Sequence, residues 1–115
     1  MIKKLMWVSV LVLSLVNYSH AGCPTAAPNT TPEFCESFKS VAKCHCMASG
    51  LSDGMCSDMN TLYQRMLVVF RSLERACNYQ QNTSPQDCID SWNCYRNGGV
   101  TSTGQLCSSS GAACA

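Results

Sequence analysis

The chain has 115 residues, ten of them cysteine, and a formal net charge of +1. That length sets a single domain. The near-neutral balance excludes nucleic acid or an anionic membrane surface as the main partner, because both are held by a basic excess.

Residues 1–21 read as a cleaved secretory signal. Lys3 and Lys4 make a positive start, residues 5–16 are an apolar stretch, and Ser19-His20-Ala21 is a small-x-small exit. The stretch is too short to span a membrane, which takes ~20 apolar residues. Cleavage after Ala21 leaves residues 22–115 with six basic and seven acidic residues, a net charge of −1. The brevity of the leader and its Met1-Ile2-Lys3-Lys4 start are of the bacterial type, so the expected location is secreted or periplasmic. Ala21-Gly22-Cys23 also resembles the end of a bacterial lipoprotein signal, with His20 where that pattern has an aliphatic residue. Lipidation would consume Cys23 and leave an odd number of cysteines.

Residues 22–31 are a polar lead-in punctuated by Pro24 and Pro28. A first helix then begins, with Thr30 or Thr31 as cap, Pro32 in the first turn, and Glu33 closing a capping box if Thr30 is the cap. On a helical wheel Phe34, Phe38, Val41, Ala42, His45 and Cys46 share a face with Cys35, and Lys39, Ser40 and Lys43 face away. Gly50 is the stop. Residues 51–54 are a short connector, with Ser52 or Asp53 as the next cap, which makes the first two helices antiparallel neighbours.

Residues 56–77 read as the longest element, one amphipathic helix of about six turns. Met55, Met59, Leu62, Met66, Val69, Phe70, Leu73 and Cys77 fall on one face, widened by Cys56, Tyr63 and Leu67. Residues 79–83 are a polar loop. Ser84-Pro85-Gln86-Asp87 opens a third helix, with Ser84 as cap and Pro85 at the first position. Its inner face carries Cys88, Ile89, Trp92 and Tyr95, and Asn97-Gly98-Gly99 stops it. Residues 100–115, rich in Gly, Ser, Thr and Ala, would read as disordered without Cys107 and Cys114 to tie them down.

All ten cysteines, Cys23, Cys35, Cys44, Cys46, Cys56, Cys77, Cys88, Cys94, Cys107 and Cys114, follow the leader. At this density, in an oxidising compartment, an even count predicts five bridges. Spacing alone leaves about 945 connectivities. One pairing has a geometric argument. Cys46 shares the inner face of the first helix with Phe38 and Ala42, and Cys56 opens the inner face of the second. Gly50 and Gly54 let the connector bend until the two Cα atoms lie within the ~4.4–6.8 Å that a disulfide tolerates. Cys44, at the edge of the apolar arc, is the rival for Cys56. Antiparallel pairing then sets Cys35 opposite roughly Leu67, and Cys77 turns to Cys88 or to Cys23. The helix pair resembles the helical-hairpin disulfide proteins, whose matched spacings the unequal Cys35/Cys46 and Cys56/Cys77 separations do not reproduce.

Cys44-His45-Cys46-Met47, followed by Met55, Cys56 and Met59, has the soft ligands that select Cu(I) or zinc. His45, however, lies between Phe34 and Phe38 on the wheel, Met59 belongs to the core stripe, and the cysteines have partners. No metal and no cofactor is expected. His45 is the one histidine after the leader and faces inward, and no C-x-x-C pair is present, so an enzyme is not expected. Arg65, Arg71 and Arg75 lie outside the apolar arc and, interrupted by Asp58 and Glu74, read as a solvated face. Asn29-Thr30-Thr31 and Asn82-Thr83-Ser84 match the N-glycosylation pattern in loops. Trp92 and Tyr95 read as core.

The expected fold is all-α: a small disulfide-rich helical domain, built as an antiparallel helical hairpin with a short third helix and a disulfide-pinned tail. The expected function is that of a non-enzymatic secreted or periplasmic interaction protein with a protein partner, an accessory to an envelope or secretion assembly or an effector. The alternatives are a toxin-like or signalling miniprotein and a periplasmic copper- or zinc-binding protein.

Overall fold

The computed structural model describes residues 22–114, so the expected leader and its cleavage site lie outside the described residues. The fold is all-α. Among the described residues five helices follow one another: α1 (Phe34–Ala48), α2 (Asp53–Ser57), α3 (Met59–Phe70), α4 (Leu73–Tyr79) and α5 (Pro85–Asn97), with a 3-10 turn at Cys107–Ser109. The one β-type pairing among the described residues is an isolated bridge between Val100 and Leu106.

The ends of α1 and α5 follow local chemistry. At the end of α1, Gly50 adopts φ +91° and its N–H bonds the Met47 carbonyl, while the Leu51 N–H reaches back to Cys46. This is the paired closure that a left-handed residue after the last turn allows. Ser84 caps α5 by accepting from the Asp87 N–H at 3.2 Å, and Gly98, φ +69°, ends it. The start of α1 departs from expectation. Its N-cap is Glu33, with no side-chain cap. Thr31 instead donates its hydroxyl to the Pro28 carbonyl at 2.7 Å, closing a turn before the helix begins.

The single helix expected over residues 56–77 is three helices. Asp58 ends α2 and starts α3 in extended backbone, its carboxylate accepting from the Asn60 and Thr61 N–H groups at 3.1 Å each. The second break follows Phe70. Arg71 takes left-handed backbone, φ +77°, and the extended Ser72 caps α4 by accepting from the Arg75 N–H at 3.1 Å. Asp and Ser offer the backbone an alternative partner and end helices for that reason. The break has a packing consequence: Leu73, Ala76 and Cys77 are buried, but Val69, expected on the inner face, is 54% exposed.

The core is an aromatic cluster with Phe38 at its centre. The Phe38 ring lies 5.2 Å from Phe34, 4.9 Å edge-on from Trp92 and 5.6 Å from Tyr95, and Tyr63 reaches Trp92 at 5.5 Å. Such offset and edge contacts add ~0.5–1.5 kcal/mol beyond burial. They join α1, α3 and α5. The Arg96 guanidinium covers the outer side of Tyr63 at 3.8 Å, a cation–π contact that closes the cluster toward water.

Five disulfides tie this core together: Cys23–Cys44, Cys35–Cys114, Cys46–Cys56, Cys77–Cys88 and Cys94–Cys107. Cys46–Cys56 spans the α1–α2 connector with Cα atoms 5.5 Å apart. Cys77–Cys88 spans the α4–α5 loop, which the Gln80 side chain also organises. Its amide donates to the Cys77 and Thr83 carbonyls, and its oxygen accepts from the Asn82 and Thr83 N–H groups. The tail is held at both ends, Cys107 to α5 and Cys114 to α1. Its backbone adds Cys114 N–H to the Tyr95 carbonyl and Ser108 N–H to the Asn29 carbonyl. Gly98 is required where the tail crosses it, since a Cβ there would sit 2.5 Å from the Gly111 carbonyl oxygen.

Candidate interaction surface

The ten cysteines come together as five closed pairs, none free, including those of the most suggestive run. Cys44 is bonded to Cys23 and Cys46 to Cys56. The thiolates that Cys44-His45-Cys46 would offer a soft metal are therefore consumed. Among the described residues no group of three His, Cys, Asp or Glu side chains is placed to hold an ion. Cys23, the residue at which the lipoprotein-like pattern would place a lipid, is bonded to Cys44. His45 lies half-buried on α1, and burial pushes its imidazole below its ordinary value near 6.5. It is a boundary histidine beside the core.

A cavity of about 170 Å³ is lined by Met59, Asn60, Tyr95 and Arg96. It is smaller than the ~300–1,000 Å³ of small-molecule sites. Trp92 and Tyr95 are buried, which gives them to the core and not to a binding platform.

The surface feature that stands out is the corner between α3 and α4. Val68 is 74% exposed, Val69 54% and Tyr79 73%. Arg65 precedes Val68 and Val69 by three and four residues, so the three share the outer face of α3. Phe70 closes α3, and its half-buried ring packs on Tyr79 with centroids 5.0 Å apart. Arg75, four residues before Tyr79, shares its face of α4, and Arg71 stands at the turn between the helices. All three arginines are exposed. The one ion pair among the described residues is Lys43–Asp53 at 3.1 Å, elsewhere on the surface. Of the two acids that temper the arginines in sequence, Glu74 stands exposed between Arg71 and Arg75, and Asp58 places its carboxylate on the α3 N-terminus, whose N–H groups hold it below the usual carboxylate range.

This corner was not readable as a surface in the sequence, because Val69 and Phe70 keep the apolar phase of the helix that precedes them. The signal that could have exposed it is Ser72-Leu73-Glu74, a capping residue with an acid in the following turn.

Fold and bridges together define a small disulfide-rich helical domain, and the bridges point to an oxidising environment. Set against known families, curated proteins and solved structures, the chain matches no family model, no curated protein and no solved structure.

Proposed function

We propose that this is a non-enzymatic, secreted or periplasmic interaction protein: an accessory to an envelope or secretion assembly, or an effector, exported by the leader in residues 1–21 and closed by its bridges after export. The observation that carries this reading is the exposed apolar corner with its three arginines, on a scaffold whose cysteines are all consumed in bridges. Aromatic and Arg side chains are the residue types enriched where proteins bind proteins. No helix among the described residues is long and apolar enough to cross a membrane.

The experiment is export of the full chain in a bacterial host, followed by intact mass and co-purification from the envelope fraction. The reading expects a mature N-terminus at Gly22 and a reproducible stoichiometric envelope partner. Purified protein that acts on foreign cells and retains no envelope partner would replace it with the toxin-like or signalling alternative.

A further inference from the structure

Charge is segregated along the described chain. Residues 59–79 carry Arg65, Arg71 and Arg75 against Glu74, a net +2. The remaining described residues carry Lys39, Lys43 and Arg96 against Glu33, Glu36, Asp53, Asp58, Asp87 and Asp90, a net −3. The positive part coincides with the α3–α4 corner where Val68, Val69 and Tyr79 are exposed. All its cations are arginine, and both lysines after residue 21 lie on α1. Arginine is the side chain suited to bidentate recognition of a carboxylate at an interface, whereas lysine acts as a point charge. Arg71 also holds left-handed backbone, φ +77°, at a position where glycine is the relaxed residue.

The geometry points to this corner as the docking surface for a segment of another protein that presents carboxylates around an apolar side chain. The proposal deepens the interaction-protein reading and rests on it. Charge complementarity chooses the occupant. A second copy meeting the corner through a two-fold axis would bring its arginines against these, which costs binding. An anionic bilayer would meet two valines and a tyrosine with no tryptophan, and would repel the acidic remainder of the chain. An acidic, apolar protein segment satisfies both the arginines and the exposed side chains.

The test is a titration of the ¹⁵N-labelled protein, followed by NMR, with three probes. These are a synthetic amphipathic peptide with leucine on one face and glutamate on the other, its lysine counterpart, and phosphatidylglycerol vesicles. The proposal expects saturable shifts at Arg65, Val68, Val69, Arg71 and Tyr79 with the glutamate peptide. Affinity should fall about tenfold or more in the Arg71→Glu/Arg75→Glu variant and weaken with salt. Arg71→Gly should bind more weakly while its Tm stays equal or rises, which separates the contact from the fold. Equal binding of the lysine peptide, shifts centred on Val100 and Leu106, binding to vesicles in place of the peptide, or no shift with any probe would overturn it. The broader reading would then still be decided by envelope co-purification, which does not depend on this corner.

Discussion

The α3–α4 pair and the tail after α5 solve the same problem in opposite ways. Residues 57–76 contain no cysteine and are almost entirely helical. Their place is set by burying Met59, Leu62, Leu73 and Ala76. Residues 98–114 have one 3-10 turn, no charged side chain and little to bury, yet two of the five bridges end there. Every bridge starts from a helix, but each one spans or pins an irregular segment: the lead-in, the α1–α2 connector, the α4–α5 loop and the tail, while residues 57–76 hold none. In a domain this small the core alone is marginal, and both parts leave apolar groups exposed in different surroundings. The helical pair shows Val68, Val69 and Tyr79 beside arginines, and the tail shows Val100 and Leu106 near the Asp90 carboxylate, which accepts from the Ser102 N–H and hydroxyl.

Removing the tail's long bridge has the largest expected effect. Cys35→Ser with Cys114→Ser opens a link between residues 79 apart in sequence and should cost about 4.5 kcal/mol in the chain-entropy model. Urea unfolding measures it, and hydrogen exchange should place the first loss of protection in residues 98–114. Packing in the helical pair comes next. Leu62→Ala on α3 should cost about 3 kcal/mol, with protection lost across α3 and α4 while the tail stays protected. If instead each change loosened both regions equally, the two would be one cooperative unit and the contrast would not hold.

Arg71→Gly sharpens the comparison from the other side. Relief of the left-handed arginine should stabilise the fold by about 0.5–1 kcal/mol, read as a rise in Tm. The smallest effect is on pH. Burial lowers the His45 pKa and the α3 N-terminal N–H groups lower that of Asp58. Both groups therefore bind protons more readily unfolded, so their contributions are full above their ordinary values and decline as pH falls. His45 loses its share first, below about 6.5, and Asp58 later, below about 3.8. Denaturant midpoints against pH should flatten in the upper window for His45→Gln and in the lower window for Asp58→Asn.

What the sequence disclosed follows the same division. Helix α5 could be read at both ends because Ser84-Pro85 and Gly98-Gly99 act locally, through capping and through left-handed backbone. The Gly50 stop of α1 is of the same kind. The three-way division of residues 53–79 could not be read, since Met55, Cys56, Met59, Leu62, Met66, Phe70, Leu73 and Cys77 stay in one helical phase across both breaks. Asp58 and Ser72 are caps only if the chain turns there, and Arg71 carries no residue-type signal for left-handed backbone. The Cys23–Cys44 and Cys35–Cys114 pairs depend on where the lead-in and tail cross α1, which spacing does not encode. The arginine corner was hidden for a related reason: of the two acids that seemed to neutralise it, Glu74 does lie between Arg71 and Arg75, but the Asp58 carboxylate is occupied in capping α3.

The chain is closed by bridges at its irregular parts, the tail above all. Mapping the disulfides of the unreduced exported protein tests it most directly, with peptic digestion and electron-transfer fragmentation to separate Cys44 from Cys46 and Cys107 from Cys114. Five linked pairs and no alkylatable thiol are expected, with Cys114 joined to Cys35 and Cys107 to Cys94. A free Cys114, or Cys114 joined to any cysteine of residues 44–94, would contradict it.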